Sequence, residues 1–274
     1  MSTRLAVAPE LGSRGGRYVR LLGPETSGGP RVQAGDAGDA LLRGLVDLMV
    51  VSARDAWPLR EGLRLAAVLP RTEPRDVLVS GEAAPRTLAT LPAGARVALA
   101  GRRRGALLAL HRPDLVGVSA ERGRAASDAL REGSVDAAVM SLANARDAGL
   151  TDEASEVLDP KIWLPAPGQG AVVVLARADD PEAGAEAAAR SDTAAAAALR
   201  AEWAVAGAVG GGQGRLGVLA LPYARSLRVW AMIVDGDGRR MVRADVTGAL
   251  EDPEAAGRSA AALLVDRGAA IVLS

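Results

Sequence analysis

Short apolar runs alternate with Ala- and Leu-rich stretches along most of the chain. The runs RLAVA (Arg4 to Ala8), DLMVVSA (Asp47 to Ala53), LRLAAVLP (Leu63 to Pro70) and ARVALAG (Ala95 to Gly101) have the length and apolar content of buried strands. Between them, AGDALLRGLV (Ala37 to Val46) and RRRGALLALHRPDL (Arg102 to Leu115) read as helices, the second stopped by Pro113. The segment EPRDVLVSG (Glu73 to Gly81) reads as a crossing from one domain into another. The pattern then repeats: LVGVSA is a strand, RAASDALREGS a helix closed by Gly, and VDAAVMSLANARDAGL a strand passing into a helix. WLPAPGQGAVVVLAR (Trp163 to Arg177) is a tight loop feeding a strand. This alternation predicts an α/β protein.

The character changes after the Ala-rich stretch Asp192 to Val209, which reads as a buried helix because Ala is the best helix former. VLALPYARSLRVWAMIVDGDGRRMVRADVTG alternates like strands around a DGDG turn (Asp235 to Gly238), an antiparallel hairpin signal. A last helix, PEAAGRSAAALLVDRGA, follows. The final stretch of about 80 residues therefore reads as a small α+β domain after two α/β units.

Composition narrows the chemistry. Of 274 residues, four are Trp, two Tyr and none Phe, so the core is aliphatic. Net charge is zero, which advertises no nucleic-acid partner. Lys161 is the only lysine, and the bulk of the Arg content reflects that bias rather than function. Absence of Cys excludes disulfides, thiolate metal sites and cysteine nucleophiles, and His111 as the only histidine excludes a multi-His zinc site. DGDGRR lacks the further ligand spacing of a calcium loop, so no metal site is expected. The first residues lack a basic region followed by an apolar core, and no apolar run approaches membrane-spanning length. A cytoplasmic protein with no membrane association is the expectation.

Three clusters carry candidate chemistry. Asp55 follows an apolar strand, where α/β folds present their ligands, although an Arg54–Asp55 surface ion pair worth under about 1 kcal/mol is the bland alternative. Arg102, Arg103 and Arg104 open a helix after a strand, which suits a carboxylate or phosphate, the alternative being a solvated face. Gly168, Gln169 and Gly170 shape a turn, and Gly210 to Gly212 form a loop open to close approach.

Six stretches in order, VDLMVVSARDAWP, TEPRDVLVS, GRRRGALLALHRPDL, LPAPGQGAVVVLAR, LRAEWAVAGAVGGGQGRLG and DRGAAIVL, resemble the porphobilinogen deaminase (hydroxymethylbilane synthase) family. The resemblance runs from about Val46 to the C-terminus. It implies two periplasmic-binding-protein-like α/β domains around a cleft plus a small C-terminal α+β domain. The corresponding boundaries are 1–75 with 168–190, then 76–167, then 191–274. It also implies an enzyme of tetrapyrrole biosynthesis that deaminates porphobilinogen and joins pyrroles on a cysteine-bound dipyrromethane.

Carried over, Asp55 falls on the catalytic Asp and Arg54 on its neighbouring Lys. Arg103 and Arg104 fall on the double Arg that holds substrate carboxylates, Gln169 and Gly170 on the ligand-facing loop, and Arg122 or Arg124 on a second-domain Arg. The cofactor cysteine falls on Gly212 or Gln213, so no covalent dipyrromethane is expected. Leu99-Ala100-Gly101 replaces a Thr-Ser-Ser, and Ala8-Pro9 replaces a Thr-Arg. Two readings follow. One is a divergent monomeric deaminase or pyrrole-coupling enzyme without a tethered primer, acting on porphobilinogen or a related carboxylated pyrrole. The other is a non-catalytic bilobal binding protein for a pyrrole or other small acid.

Overall fold

The computed structural model describes residues 3–22, 27–28, 37–80, 86–120, 124–151 and 154–273. Two compact units emerge, one of Met1–Thr72 with Gly168–Leu199, the other of Glu73–Pro167 with Arg200–Ser274.

The first unit is built on a five-stranded sheet in the order Ser27–Gly28, Arg4–Val7, Leu48–Ser52, Val172–Arg177, Leu63–Val68. Arg4–Val7 and Leu48–Ser52 run parallel, with Val7 opposite Val50. Val172–Arg177 runs antiparallel between Leu48–Ser52 and Leu63–Val68. The central strands read as continuous apolar runs because they are covered on both faces. Leu5, Leu48, Val50, Val172 and Val174 share a core cluster with Leu11, Tyr18 and Leu22. The helix Gly15–Leu22 has no counterpart in the sequence reading, since it starts on two glycines, the poorest ordinary helix formers. It forms because Tyr18 and Leu22, four residues apart, bury on one face.

The second unit repeats the arrangement in the order Val116–Ser119, Arg96–Leu99, Ala137–Ser141, Asp76–Ser80, Ala154–Val157. The strand in fourth place is again antiparallel to its neighbours. Both units thus share one α/β arrangement, a five-stranded sheet whose fourth strand runs against its neighbours. Ala154–Val157 is an edge strand that the apolar pattern misses, its residues being half-buried or exposed.

A third sheet, Leu216–Tyr223, Ser226–Val234 and Met241–Ala249, is an antiparallel meander. The helix Pro253–Asp266 packs on it, capped by the Asp252 side chain, which accepts from the Ala255 N–H at 3.1 Å. The sequence reading separates residues 76–167 and 191–274 into two domains, whereas in the structure most of both lie in one compact unit. The reason is a common core. Leu219, Met232 and Val234 of the meander cluster with Trp163, Leu164, Leu78, Val97 and Val139. The backbone of Val218 also donates to the Pro165 carbonyl at 2.9 Å. Among the described residues, no helix is long and apolar enough to cross a membrane.

Candidate functional site

In the first unit the strand Leu48–Ser52 ends at Ser52, whose hydroxyl accepts from the Arg54 backbone N–H at 3.3 Å and caps the single helical turn Ala53–Ala56. Asp55 sits in that turn and is exposed, with Arg54 half-buried beside it. A strand end with a side-chain cap fixes where a carboxylate emerges, which is how parallel sheets present ligand-binding groups.

The loop before Val172–Arg177 buttresses this turn. The Ala53 N–H donates to the Ala171 carbonyl at 3.0 Å. Gly168 has φ +70°, and a Cβ there would stand 3.1 Å from the Ala53 Cβ and 3.3 Å from Leu199 Cδ1. Only glycine lets the loop lie so close. Gln169 is 1% exposed, and its carbonyl accepts from Arg71 Nε and Nη2 at 3.1 and 2.9 Å. The Gly170 carbonyl accepts from the backbone N–H of Thr72 at 3.0 Å and from its hydroxyl at 2.8 Å. The Gly-Gln-Gly run thus clamps the outgoing segment at Arg71 and Thr72 and supports the turn that carries Asp55.

A residue the sequence reading did not single out joins the group. Glu10 follows Arg4–Val7, the parallel neighbour of the Asp55 strand. It is exposed, yet enough protein surrounds its carboxyl for desolvation to raise its pKa, and the charge of Asp55 raises it further. Hydrogen bonds from the backbone of Glu10 itself and of Ser52 oppose that rise. Its signal in the sequence was position alone, an acid three residues beyond a strand.

Arg103 and Arg104 lie in the second unit and are 5% and 4% exposed. They converge on Asp76, which is fully buried. Arg103 Nη2 donates to Asp76 Oδ2 at 2.7 Å, and Arg104 Nε and Nη2 donate to Oδ2 and Oδ1 at 3.1 and 2.8 Å. Trp163 Nε1 adds a bond to Oδ2 at 3.1 Å, while Arg103 and Arg104 also donate to the carbonyls of Leu164 and Ala100. Burial pushes the Asp76 carboxyl up, but the two guanidiniums overcome it and hold it well below the usual carboxylate range. The expectation for this double Arg is a hold on substrate carboxylates; in the structure both side chains bond a carboxylate of the protein itself. The anion it grips is internal, supplied by the strand after the first crossing.

The remaining expectations divide by placement. Arg122 lies outside the described residues, and Arg124 opens the helix Arg124–Arg131, with its side chain outside what is described. In the loop where a cofactor cysteine was expected, Gly212 has φ +56°, and a Cβ on it would stand 2.8 Å from the Leu216 Cβ. Gln213 has φ +51° and is exposed. Neither position carries a sulfur or another nucleophile, so the residues present do not fit a thioether-linked group. Among the described residues, no three of His, Cys, Asp or Glu stand together as a metal site. The structure thus brings Arg54, Asp55, Gln169 and Gly170 together in the first unit and Arg103 with Arg104 in the second.

Residues 25–185 match the family described as "Porphobilinogen deaminase, dipyromethane cofactor binding domain". A porphobilinogen deaminase of Roseiflexus sp. (strain RS-1) is 40% identical over 240 residues, covering 86% of this chain and 78% of that protein. The porphobilinogen deaminase of Moorella thermoacetica is 40% identical over 238 residues, covering 85% of this chain and 75% of that protein. Among solved structures, the periplasmic aliphatic sulphonate binding protein SsuA of Escherichia coli covers 76% of this chain and 72% of its own at 20% identity, with a TM-score of 0.42.

Proposed function

The chain belongs to the porphobilinogen deaminase family of enzymes, and on that premise we propose that it deaminates or couples porphobilinogen or a related carboxylated pyrrole at Asp55, without a cysteine-bound dipyrromethane. The observation that carries this reading is the buttressed turn holding an exposed Asp55 at the end of a central strand, in a chain with no Cys.

Chemically, loss of ammonia breaks the methylene C–N bond of the pyrrole, and the bonding pair leaves with nitrogen. The ring nitrogen's pair moves toward the methylene carbon, giving an azafulvenium cation. The Asp55 carboxylate accepts the pyrrole N–H and faces the positive charge as it develops, the kind of fixed electrostatic stabilisation that supplies most of many rate enhancements. The α-carbon of a second, free pyrrole then attacks the methylene, and its ring proton passes to water. No tethered primer takes part, because the Gly210–Gly214 loop has no group to hold one.

A second reading, a binding protein without catalysis, is favoured by one observation. Arg103 and Arg104, expected on substrate carboxylates, are committed to Asp76. Following ammonia release and ligand binding together separates the two. Catalysis predicts ammonia from porphobilinogen that disappears in Asp55→Ala; binding without release supports the carrier.

A further inference from the structure

We infer that Arg71 is a positioning residue for the proposed reaction: its guanidinium fixes the backbone turn of residues 168–171, and that turn sets where Asp55 stands. This rests on the reading of Asp55 above and adds to it the side chain that holds the reacting group in place.

Pairing of the backbone sets the juxtaposition. The segment leaving the strand Leu63–Val68 stays bonded to the chain around Val172: the Leu69 N–H donates to the Val172 carbonyl at 2.9 Å, and the Thr72 N–H to the Gly170 carbonyl at 3.0 Å. Arg71 lies between these two bonds and is half-buried. Its Nε and Nη2 both reach the Gln169 carbonyl, at 3.1 and 2.9 Å. Two donors of one guanidinium on one oxygen make a charge-assisted hold. Three successive carbonyls are thereby engaged: Gln169 by Arg71, Gly170 by the N–H and hydroxyl of Thr72, and Ala171 by the Ala53 N–H. Ala53 opens the helical turn that carries Asp55. All of these residues belong to the first unit.

Residues 168–171 need a hold from outside. The Ala171 N–H closes the turn on the Gly168 carbonyl at 3.1 Å, but glycine occupies two of its four positions, with φ +70° at Gly168 and +79° at Gly170. Glycine takes either sign of φ at little cost. The value at Gly170 is that of a type II turn, whereas a type I turn has φ of about −90° at that position and the preceding peptide turned over. Turning that peptide over would present the Gly170 N–H to the guanidinium in place of the Gln169 carbonyl. A cation stabilises the carbonyl and repels the N–H, so Arg71 selects the observed turn. The selected turn packs Gly168 against Ala53, so what fixes the one fixes the start of the other.

The test follows ammonia release from porphobilinogen together with amide exchange, both on the full chain. In Arg71→Met, kcat is expected to fall about 10- to 100-fold with KM within about threefold, the pattern of a displaced reacting group rather than of lost binding. Exchange at the Ala53 N–H should quicken about tenfold while Leu48–Ser52 keeps its protection. Arg71→Lys, which keeps the charge and a donor, should restore part of kcat. Thr72→Val, which loses only the hydroxyl bond to Gly170, should lower kcat in the same sense by a smaller factor. Should Arg71→Met fail to fold, these two variants decide by the same criteria. An unchanged kcat, a loss carried by KM, or exchange quickened equally across the first unit overturns the inference and leaves the pyrrole reading in place. A wild-type chain that releases no ammonia overturns both.

Discussion

Asp76 is a single carboxylate set between two guanidiniums and an indole N–H, none of them more than 5% exposed. Removing one member of such a cluster leaves the others buried and uncompensated, so Asp76→Asn is expected to cost about 3–5 kcal/mol in urea unfolding. The pH dependence has a definite sign. The folded pKa of Asp76 lies below the ordinary aspartate value of 3.8, so its stabilisation is fully present above that value and is lost as pH falls through the folded pKa. Acid unfolding below about pH 4 should therefore be shallower in Asp76→Asn than in wild type. Glu10 has the opposite sign. Its raised pKa favours the fold below the ordinary glutamate value of 4.5 and ceases to as pH rises through the folded value. Glu10→Gln should accordingly melt at or above the wild-type temperature at pH 7. At this scale the sequence was legible where a residue's role follows from its local element, as for Asp55 at a strand end. It was not legible for Arg103, because the partner that explains it lies 27 residues upstream and only the fold brings the two together.

The turn Ala53–Ala56 is four residues long, too short to persist by helix propensity, so its cap and its buttress decide whether Asp55 is held in place. Ser52→Ala removes the hydroxyl acceptor and is expected to cost about 1 kcal/mol. Gly168→Ala forces a left-handed conformation on a residue with a Cβ, at a cost of about 1–3 kcal/mol, and drives that Cβ toward Ala53. Both variants should reduce turnover more than they reduce substrate binding, read as a fall in kcat with a smaller change in KM. Unchanged kcat in both would show that the turn does not position a reacting group. Most elements were readable from periodicity, including the paired runs Ala137–Ser141 and Leu142–Asp147. Among those that were not, Gly15–Leu22 and Ala154–Val157 form through tertiary packing and edge pairing that local composition does not encode.

Over the whole molecule, the aliphatic composition has a structural consequence. With no Phe, the second unit builds its core by joining many Leu, Val and Ala side chains around the single buried Trp163. The shared cluster makes the C-terminal meander and the Asp76 sheet one stability unit. Met232→Ala, at a fully buried position, is expected to cost about 2–5 kcal/mol. Amide exchange should then quicken in both Ala137–Ser141 and Ser226–Val234, and not in Leu48–Ser52 of the first unit. The α/β alternation and the first crossing were legible in the sequence. The union of the last two regions was not, because it depends on which apolar faces meet. The central claim is that pyrrole chemistry proceeds here on a polypeptide that holds no covalent primer. Intact-mass spectrometry of the chain, sampled while it releases ammonia from porphobilinogen, tests this most directly. The account predicts the mass of the bare 274-residue polypeptide throughout; a stable increment of one or more pyrrole units on the chain would contradict it.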